Sequence, residues 1–207
     1  MYRIILASES PRRKEILKTM GIPFEAMASN VNEEVEEKEP ASMVEALAKL
    51  KVVDIWKQIK EQNKSQDKII IIGADTMVFY QGQALGKPKD QEDAARILGM
   101  LSNDVHQVYT GVSMIIVDQD RKLKEEHISF AVCTKVSVQP LNKKQMEDYI
   151  ASGEPMDKAG AYGIQGRFGI HIKEISGDYY NVVGFPIAKI YETLLELGID
   201  LKDQRNS

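Results

Sequence analysis

Four short segments of the chain bring together residue types that bind phosphate groups. They are SESPRR at 8–13, GADT at 73–76, GKP at 86–88 and EPMDKAGAYGIQG at 154–166. These segments supply two arginines, two lysines, aspartates and a glycine-rich loop. Planar guanidinium groups and compact ammonium groups both neutralise phosphate oxygens. The set therefore predicts a site for a polyphosphate.

The first segment lies at the predicted start of a helix. Ser10 is a candidate N-cap, and Pro11 suits the first helical turn. Unpaired backbone N–H groups at such an end attract an anion, and Arg12 and Arg13 add two permanent positive charges. Two cations at a helix N-terminus interact unfavourably with the helix dipole and lower the stability of the helix unless a bound anion neutralises them. This opposition favours phosphate binding over the alternative of a solvated helix turn.

Asp75 lies between two apolar stretches, 69–72 and 77–79. A carboxylate in such surroundings is costly unless a partner compensates it. A divalent cation or a catalytic water would explain it, since carboxylate oxygens suit Mg²⁺ and Mn²⁺. An ordinary turn carboxylate explains it equally well. Thr76, its neighbour, either orients a ligand or simply fits a strand position.

Two lysines have different predicted surroundings. Lys51 lies four residues after Leu47 and four before Ile55, so its helix turns it toward the packed side. Lys51 either has a functional role or simply extends its aliphatic side chain along this apolar surface, so that its ammonium reaches water. Lys87 stands between Gly86 and Pro88, where the restricted backbone can direct the ammonium. Both lysines suit phosphate oxygens as point charges.

The glycine-rich segment 154–166 predicts a loop that approaches a ligand closely. Its glycines permit such an approach, and Gln165 offers both a donor and an acceptor to the edge of a base. Tyr162 either stacks on a ligand or packs in the core. A glycine-rich loop alone is also typical of a plain turn, so the interleaved polar groups carry the prediction.

The remaining candidates are weaker. The acidic stretch 30–40 predicts a loop or lid, in which Glu33 is a candidate cation ligand and a solvated surface is the alternative. Three histidines lack the spacing of metal ligands and are predicted to be structural: His106, His127 and His171. Cys133 is predicted to be a packed small hydrophobe rather than a nucleophile.

Composition limits the classes of protein. The chain has 207 residues, a net charge of −4 and 43% hydrophobic residues. The acidic balance argues against a general nucleic-acid binder, which normally carries a basic excess. The single cysteine excludes an intramolecular disulfide and favours a reducing compartment. No segment approaches the length of a membrane span, and we predict a cytoplasmic protein with no membrane partner.

The hydrophobic pattern predicts an α/β fold with a mixed β-sheet. Predicted strands cover 2–7, 24–28, 69–80, 105–117, 127–138 and 169–175. Predicted helices cover 11–20, 91–101, 142–150 and 186–197, with one more that begins at a capping box of Ser42 and Glu45 and reaches 61. Asp90 is the predicted cap of the helix over 91–101, and the predicted inner face of that helix comprises Ala94, Ile97, Leu98 and Leu101. A hairpin near 118–121 is expected to join two of the strands.

Taken in order, these segments closely resemble the Maf family of nucleoside triphosphate pyrophosphatases, and the likeness extends through GDYYNVVGFP at 177–186. The resemblance implies one domain over 1–207, with two α/β lobes similar to inosine-triphosphate pyrophosphatases and a nucleotide cleft between them. It implies hydrolysis of a nucleoside triphosphate to monophosphate and pyrophosphate with Mg²⁺ or Mn²⁺. DKAGAYGIQG resembles the dTTP/UTP branch, with modified pyrimidine nucleotides as further candidate substrates.

The resemblance also implies roles for individual residues. Asp75 matches the proton acceptor, and either Asp75 or Glu33 would assist the metal. Positions tied to substrate choice are Arg12, Thr76 and Gln165. Further active-site positions are Ser8, Arg13, Glu33, Lys51 and Lys87. Because an ordinary aspartate is a weak base, a metal-activated water is the expected nucleophile.

The expected partner is the nucleoside triphosphate, with no nucleic acid, and the habit of the family adds a homodimer as a candidate assembly. The alternative is a non-catalytic regulator of septum formation that acts through nucleotide sensing or a protein partner. An assay for pyrophosphate release distinguishes these functions.

Overall fold

A computed structural model describes residues 2–61, 68–122 and 124–202. The strands in these ranges are β1 Arg3–Leu6, β2 Glu25–Ala26, β3 Ile69–Tyr80, β4 Gln83–Leu85, β5 Val105–Val117, β6 Glu125–Val138 and β7 Ile172–Ser176. The helices are α1 Pro11–Thr19, α2 Pro40–Lys60, α3 Gln91–Leu101, α4 Lys143–Ile150, α5 Tyr179–Val183 and α6 Ile187–Glu196. Short 3-10 segments lie at Glu154–Asp157, Ala159–Ala161 and Arg167–His171.

The strands form one mixed sheet in the order β2-β1-β3-β5-β6-β7, with β4 paired to β3. Strand β1 runs parallel to both β2 and β3, whereas β4 and β7 are antiparallel to β3 and β6. The predicted α/β class with a mixed sheet is confirmed. None of the helices in the described ranges has the length and apolar character that a membrane crossing requires.

The chain divides into two compact units, whose boundaries fall within β3, β5 and β6 and directly after α5. The first unit comprises Met1–Asp75, Thr110–Ala131 and Gly184–Ser207. The second unit comprises Thr76–Tyr109 and Val132–Val183.

In the first unit, α2 packs closely against the sheet. Its buried face contacts β1, β3 and β5 through a cluster that includes Val52, Ile55, Ile71 and Ile115. A Cβ atom at Gly73 would lie 2.8 Å from Val52 Cγ1, and one at Gly111 would collide with the backbone of α2 at residues 44 and 45. Two glycines thus allow this helix to approach the sheet at two points.

In the second unit, α3 and α4 pack with the segment after α4. The four residues predicted to form the inner face of α3 are all buried: Ala94, Ile97, Leu98 and Leu101. The predicted cap is also confirmed, since Asp90 Oδ1 accepts a hydrogen bond from Asp93 N at 2.8 Å. Asn142 caps α4 in a capping box with Gln145.

Two predicted helix starts need correction. Helix α2 begins at Pro40, so the capping box predicted at Ser42 and Glu45 is wrong. Proline suits the first helical position because its φ is fixed and it lacks the N–H that would be left unbonded there, so the helix begins earlier. Ser10 does occupy the N-cap of α1, but its side chain makes no capping hydrogen bond.

Two further differences concern the second unit. The strand predicted over 169–175 begins only at Ile172, because Arg167–His171 form a 3-10 turn that buries Phe168. Cys133 is exposed, so the prediction of a packed residue is wrong. Its neighbour Thr134 faces inward instead, since successive residues of a strand point to opposite faces.

Candidate active site

Asp75 lies inside β3, not in a turn after it, and its side chain is only 13% exposed. Lys51 Nζ contacts Asp75 Oδ1 at 2.5 Å and Glu33 Oε1 at 3.0 Å. The Lys51 side chain is 12% exposed, so it does not extend along its stem to water. One ammonium therefore lies between two carboxylates. Such a pair is held in place because separating largely buried charges is costly.

The close approach of α2 to β3 explains this contact. Val52 and Ala48 border Gly73, and Lys51 Cβ lies 3.5 Å from the position that a Gly73 Cβ would take. Asp75 follows Gly73 by two residues along the extended strand, so both project from the same face of the sheet. The helix therefore presents Lys51 directly to the carboxylate.

Arg13 is a buried cation with two fixed contacts. Its Nε donates to Gly184 O at 2.8 Å, and its Nη1 donates to Ser8 Oγ at 3.1 Å. Ser8 Oγ also accepts a hydrogen bond from Ser10 N at 3.2 Å. The hydroxyl of Ser8 therefore orders the start of α1 and one side of the guanidinium at the same time.

The charges near Arg13 indicate which groups share its surroundings. Burial lowers the pKa of Arg13, the carboxylate of Asp75 opposes this effect, Arg12 reinforces it and Glu33 opposes it. A guanidinium remains charged under such conditions. The first unit thus brings together the six predicted site residues that it contains: Ser8, Arg12, Arg13, Glu33, Lys51 and Asp75.

The donor set fits a divalent cation that shares its ligands with a substrate. Asp75 and Glu33 direct carboxylate oxygens at one position, where Lys51 supplies the positive charge. The described residues contain no group of three or more His, Cys, Asp or Glu side chains that could hold a metal by themselves. Mg²⁺ typically takes one or two carboxylates and completes its shell with phosphate oxygens and water.

The second unit holds the other three predicted site residues. Thr76 is partly buried on β3, whereas Lys87 and Gln165 are exposed. The GKP segment and the glycine-rich loop are joined, because Gly160 N donates to Gly86 O at 3.1 Å. Gly160 has φ +70°, and a Cβ there would lie 2.8 Å from Val78 Cγ2 on β3. The loop, the GKP segment and this strand therefore meet around Gly160.

Tyr162 packs in the core of the second unit, which decides between the two roles left open for it. Its hydroxyl lies 2.8 Å from His106 Nε2, and its ring packs against Phe168 at 5.0 Å between centroids. Burial lowers the pKa of His106 to about 4, so this histidine is neutral at pH 7. The predicted structural role of His106 is consistent with this position.

Glu154 is a residue that the sequence did not single out. Its carboxylate accepts hydrogen bonds from Tyr149 Oη at 3.1 Å and from Arg167 N at 3.0 Å. Lys158 Nζ donates to the backbone oxygen of Glu154 at 2.8 Å. The only sequence signal was a pair of opposite charges inside a glycine-rich segment, which does not indicate a partner thirteen residues away.

Comparisons with known proteins give a consistent result. Residues 3–197 match the family described as Maf-like protein. Proteins named dTTP/UTP pyrophosphatase from Agathobacter rectalis and Lachnoclostridium phytofermentans are 46% and 47% identical, over 97% and 99% of this chain and all of theirs. One from Alkaliphilus metalliredigens is 47% identical over 94% of this chain and 95% of its own length.

The solved structures that match are more distant. A nucleoside-triphosphatase / dITP/XTP pyrophosphatase from Mycobacterium abscessus is 16% identical, with a TM-score of 0.33 over 67% of this chain and 75% of that one. The Ham1 protein of Staphylococcus aureus is 18% identical, with a TM-score of 0.36 over 66% and 71%. Because the family match covers residues 3–197 and relatives are 46% and 47% identical over nearly the whole chain, the chain belongs to the Maf-like protein family.

Proposed function

We propose that this chain is a nucleoside triphosphate pyrophosphatase that hydrolyses dTTP and UTP to the monophosphate and pyrophosphate. Three relatives with identities of 46%, 47% and 47% carry the name dTTP/UTP pyrophosphatase. The contact between Lys51 and Asp75 is the main structural support for this proposal. The buried Arg13 also interacts electrostatically with Asp75, whose carboxylate raises the pKa of Arg13 against the effect of burial.

The negative charges of the triphosphate neutralise the clustered cations. Arg12, Arg13 and Lys51 supply three positive charges within the first unit, and we assign Lys87 of the second unit to the same substrate. Because Ser8 and Gly184 already orient Arg13, this guanidinium loses little conformational freedom when it binds phosphate. Catalysis then depends mainly on positioning and charge stabilisation.

The reaction is a displacement at the α-phosphorus. The oxygen of a water forms a bond to this phosphorus, and the bond from phosphorus to the α–β bridging oxygen breaks, so pyrophosphate leaves. The proton of the water passes to Asp75. Since Lys51 contacts Oδ1, we assign Oδ2 to the water. The ammonium beside it stabilises the negative charge of the carboxylate before the proton moves.

A divalent cation, Mg²⁺ or Mn²⁺, would be held by Asp75 and Glu33 together with phosphate oxygens. When bound, such an ion polarises phosphate oxygens and lowers the pKa of a coordinated water. Substrate choice is assigned to Arg12, Thr76 and Gln165. The amide of Gln165 provides both a donor and an acceptor, which suits the edge of uracil or thymine, including modified pyrimidines.

A panel of canonical and modified nucleotides with Mg²⁺ or Mn²⁺ tests this function. We expect pyrophosphate and monophosphate in equal amounts from dTTP and UTP, and no turnover after the divalent cation is removed with EDTA. Release of single phosphate groups, or nucleotide binding without any turnover, would contradict the proposal. The second outcome would favour nucleotide sensing instead.

Other expectations stay predictions. The first is a cytoplasmic location, which the presence of a single cysteine, Cys133, favours. The others are assembly as a homodimer and a single two-lobed domain over 1–207.

A further inference from the structure

The carboxylate of Glu154 organises the stretch that carries Gln165. Tyr149, which is 5% exposed on α4, donates its hydroxyl proton to Glu154 Oε1 at 3.1 Å and accepts a hydrogen bond from Gly163 N at 3.3 Å. Glu154 Oε2 accepts from Arg167 N at 3.0 Å. One carboxylate and one phenol therefore fix the backbone on both sides of Gln165.

The glycines on either side of Gln165 lie directly against the same side chains. A Cβ at Gly166 would collide with the Glu154 carboxylate. A Cβ at Gly163 would lie 2.6 Å from Lys158 Cε and 3.4 Å from Glu154 Oε1. The backbone of residues 163–166 therefore wraps around Glu154 and Lys158, and only glycine permits so close an approach.

Lys158 belongs to this arrangement. Its Nζ donates to Glu154 O at 2.8 Å and to Asp157 Oδ1 at 2.6 Å, and its side chain is 16% exposed. These contacts hold the 3-10 turn at Glu154–Asp157 in place. The charges of the segment are therefore used within the loop, while Gln165 itself stays exposed.

We propose that Glu154 is a positioning residue for base selection, because its contacts with Tyr149 and Arg167 fix the backbone on both sides of Gln165 and so restrict where the amide can meet the edge of a uracil or thymine base. This inference rests on the proposed function. Uracil and thymine use both groups of the amide in one orientation, and a loop that is ordered before binding lowers the cost of that contact. Cytosine presents the opposite donor and acceptor order, so it requires the amide turned by about 180°, and the ordered loop is inferred to favour the orientation that uracil uses.

Replacing Glu154 by glutamine tests this role with little change in volume. A carboxylate offers two oxygens to the two donors, Tyr149 Oη and Arg167 N, whereas an amide offers one oxygen and an NH₂ group. One donor therefore loses its acceptor and the loop loosens. Glu147→Gln is the matched control, since Glu147 is exposed on α4 and, within the described part of the chain, its side chain makes only a 3.7 Å ion pair with Lys143.

The readout is the preference for UTP over CTP. It is measured as the ratio of kcat/KM values for pyrophosphate release, and as the ratio of Kd values for the α,β-methylene analogues by calorimetry. We expect Glu154→Gln to lower both ratios by about ten-fold through KM and Kd, with kcat for UTP nearly unchanged. Glu147→Gln should leave both ratios at the wild-type value.

A double-mutant cycle with Gln165→Ala identifies the route of the effect. If Glu154 acts through Gln165, the double variant has the same preference as Gln165→Ala alone. An unchanged ratio in Glu154→Gln, or effects of the two substitutions that simply add, would overturn the inference. Should Glu154→Gln fail to fold, Tyr149→Phe removes the hydrogen bond to Glu154 together with the one from Gly163 N, and an unchanged ratio in that variant overturns the inference as well.

The two proposals fail in different ways. If the wild-type protein releases no pyrophosphate from any nucleotide, the proposed function is wrong. The methylene analogues still test the role of Glu154, because their Kd ratio requires no turnover. A wild-type protein that binds the UTP and CTP analogues equally well would overturn the inference.

Discussion

The two units present their predicted site residues in opposite ways. In the first unit, polar and charged side chains contact one another before any substrate arrives: Lys51 pairs with Asp75, and Arg13 donates to Ser8. In the second unit, Lys87 and Gln165 are exposed, and the ordered part is the backbone around them. The difference suggests two tasks: stabilising charge requires groups fixed away from water, whereas reading a base requires a fixed loop.

The energetic consequences differ as well. Removing one partner from a largely buried pair leaves a charge without compensation, which lowers stability as well as activity. An exposed lysine contributes little to stability, so its removal affects the ligand alone. Variants in the first unit should therefore change folding and turnover together, and exposed positions in the second unit should separate them.

The strongest test of the first unit is Asp75→Asn. We expect turnover to fall about 10²-fold or more, because the variant cannot take the proton of the water. The amide still accepts from Lys51, so the protein folds, but with a lower stability because the ammonium loses the charge of its partner. Pyrophosphate release and thermal unfolding measure the two effects. Asp148→Asn, at an exposed position on α4, should leave both at the wild-type level. Near-normal turnover in Asp75→Asn would remove this residue from its assigned role.

A pair of glycines tests whether the second unit depends on its backbone. Gly160 and Gly153 both have positive φ, +70° and +74°, but only Gly160 lies against Val78. Both alanine variants carry the strain of this backbone region, and Gly160→Ala adds a steric clash, so it should lose about 2 kcal/mol more of its unfolding free energy. Urea denaturation measures the difference. Equal losses would show that the contact with Val78 does not matter.

Acid should weaken the second unit through His106. Burial lowers its pKa to about 4 from 6.5, so the unfolded chain binds a proton that the folded protein does not. The free energy of unfolding therefore falls as the pH drops below 6.5, by about 2 kcal/mol from this residue at about pH 5. Urea denaturation near neutral pH and near pH 5 measures it. In His106→Asn, this decrease in unfolding free energy between neutral pH and about pH 5 should be absent. In His127→Asn, at an exposed position, the decrease should remain.

The smallest effect is expected for Lys87→Met. Lys87 is exposed and has no ion pair among the described residues. We expect KM for the nucleotide to rise about ten-fold through the loss of one phosphate contact, with an unchanged unfolding free energy. Lys89→Met, two residues away, is the matched control for a general change in charge. If Lys87→Met lowered the unfolding free energy and left KM unchanged, an exposed residue of the second unit would affect folding and not the ligand, which contradicts the proposed contrast between the units.

Local signals predicted most of the elements. The apolar run at 69–72 predicted β3, and Asp90 predicted the start of α3, because each signal acts within one strand or one helical turn. The start of α2 was predicted wrongly because Pro40 competes with the capping pair at Ser42 and Glu45. The late start of β7 depends on Phe168, whose burial against residues distant in the chain overrides the strand pattern.

The site was harder to predict than the fold. The sequence placed Lys51 on the packed side of a helix, but not beside Asp75, since that contact depends on how α2 lies on the sheet. Glu154 was missed because its partners are five and thirteen residues away and no periodicity connects them. The catalytic and specificity roles of the individual residues stay predictions, which the variants above test.

Gly73 and Gly111 have one further consequence. Neither residue has a Cβ atom, which would clash with α2, so the helix can lie closer to the sheet than any other residue would allow at these two positions. An alanine at Gly111, whose Cβ would collide with the backbone of Val44, would force the helix outward, and one at Gly73 would crowd Val52 Cγ1 at 2.8 Å and Ala48 O at 3.0 Å. The spacing between Lys51 and Asp75 is therefore decided at two residues that carry no functional group.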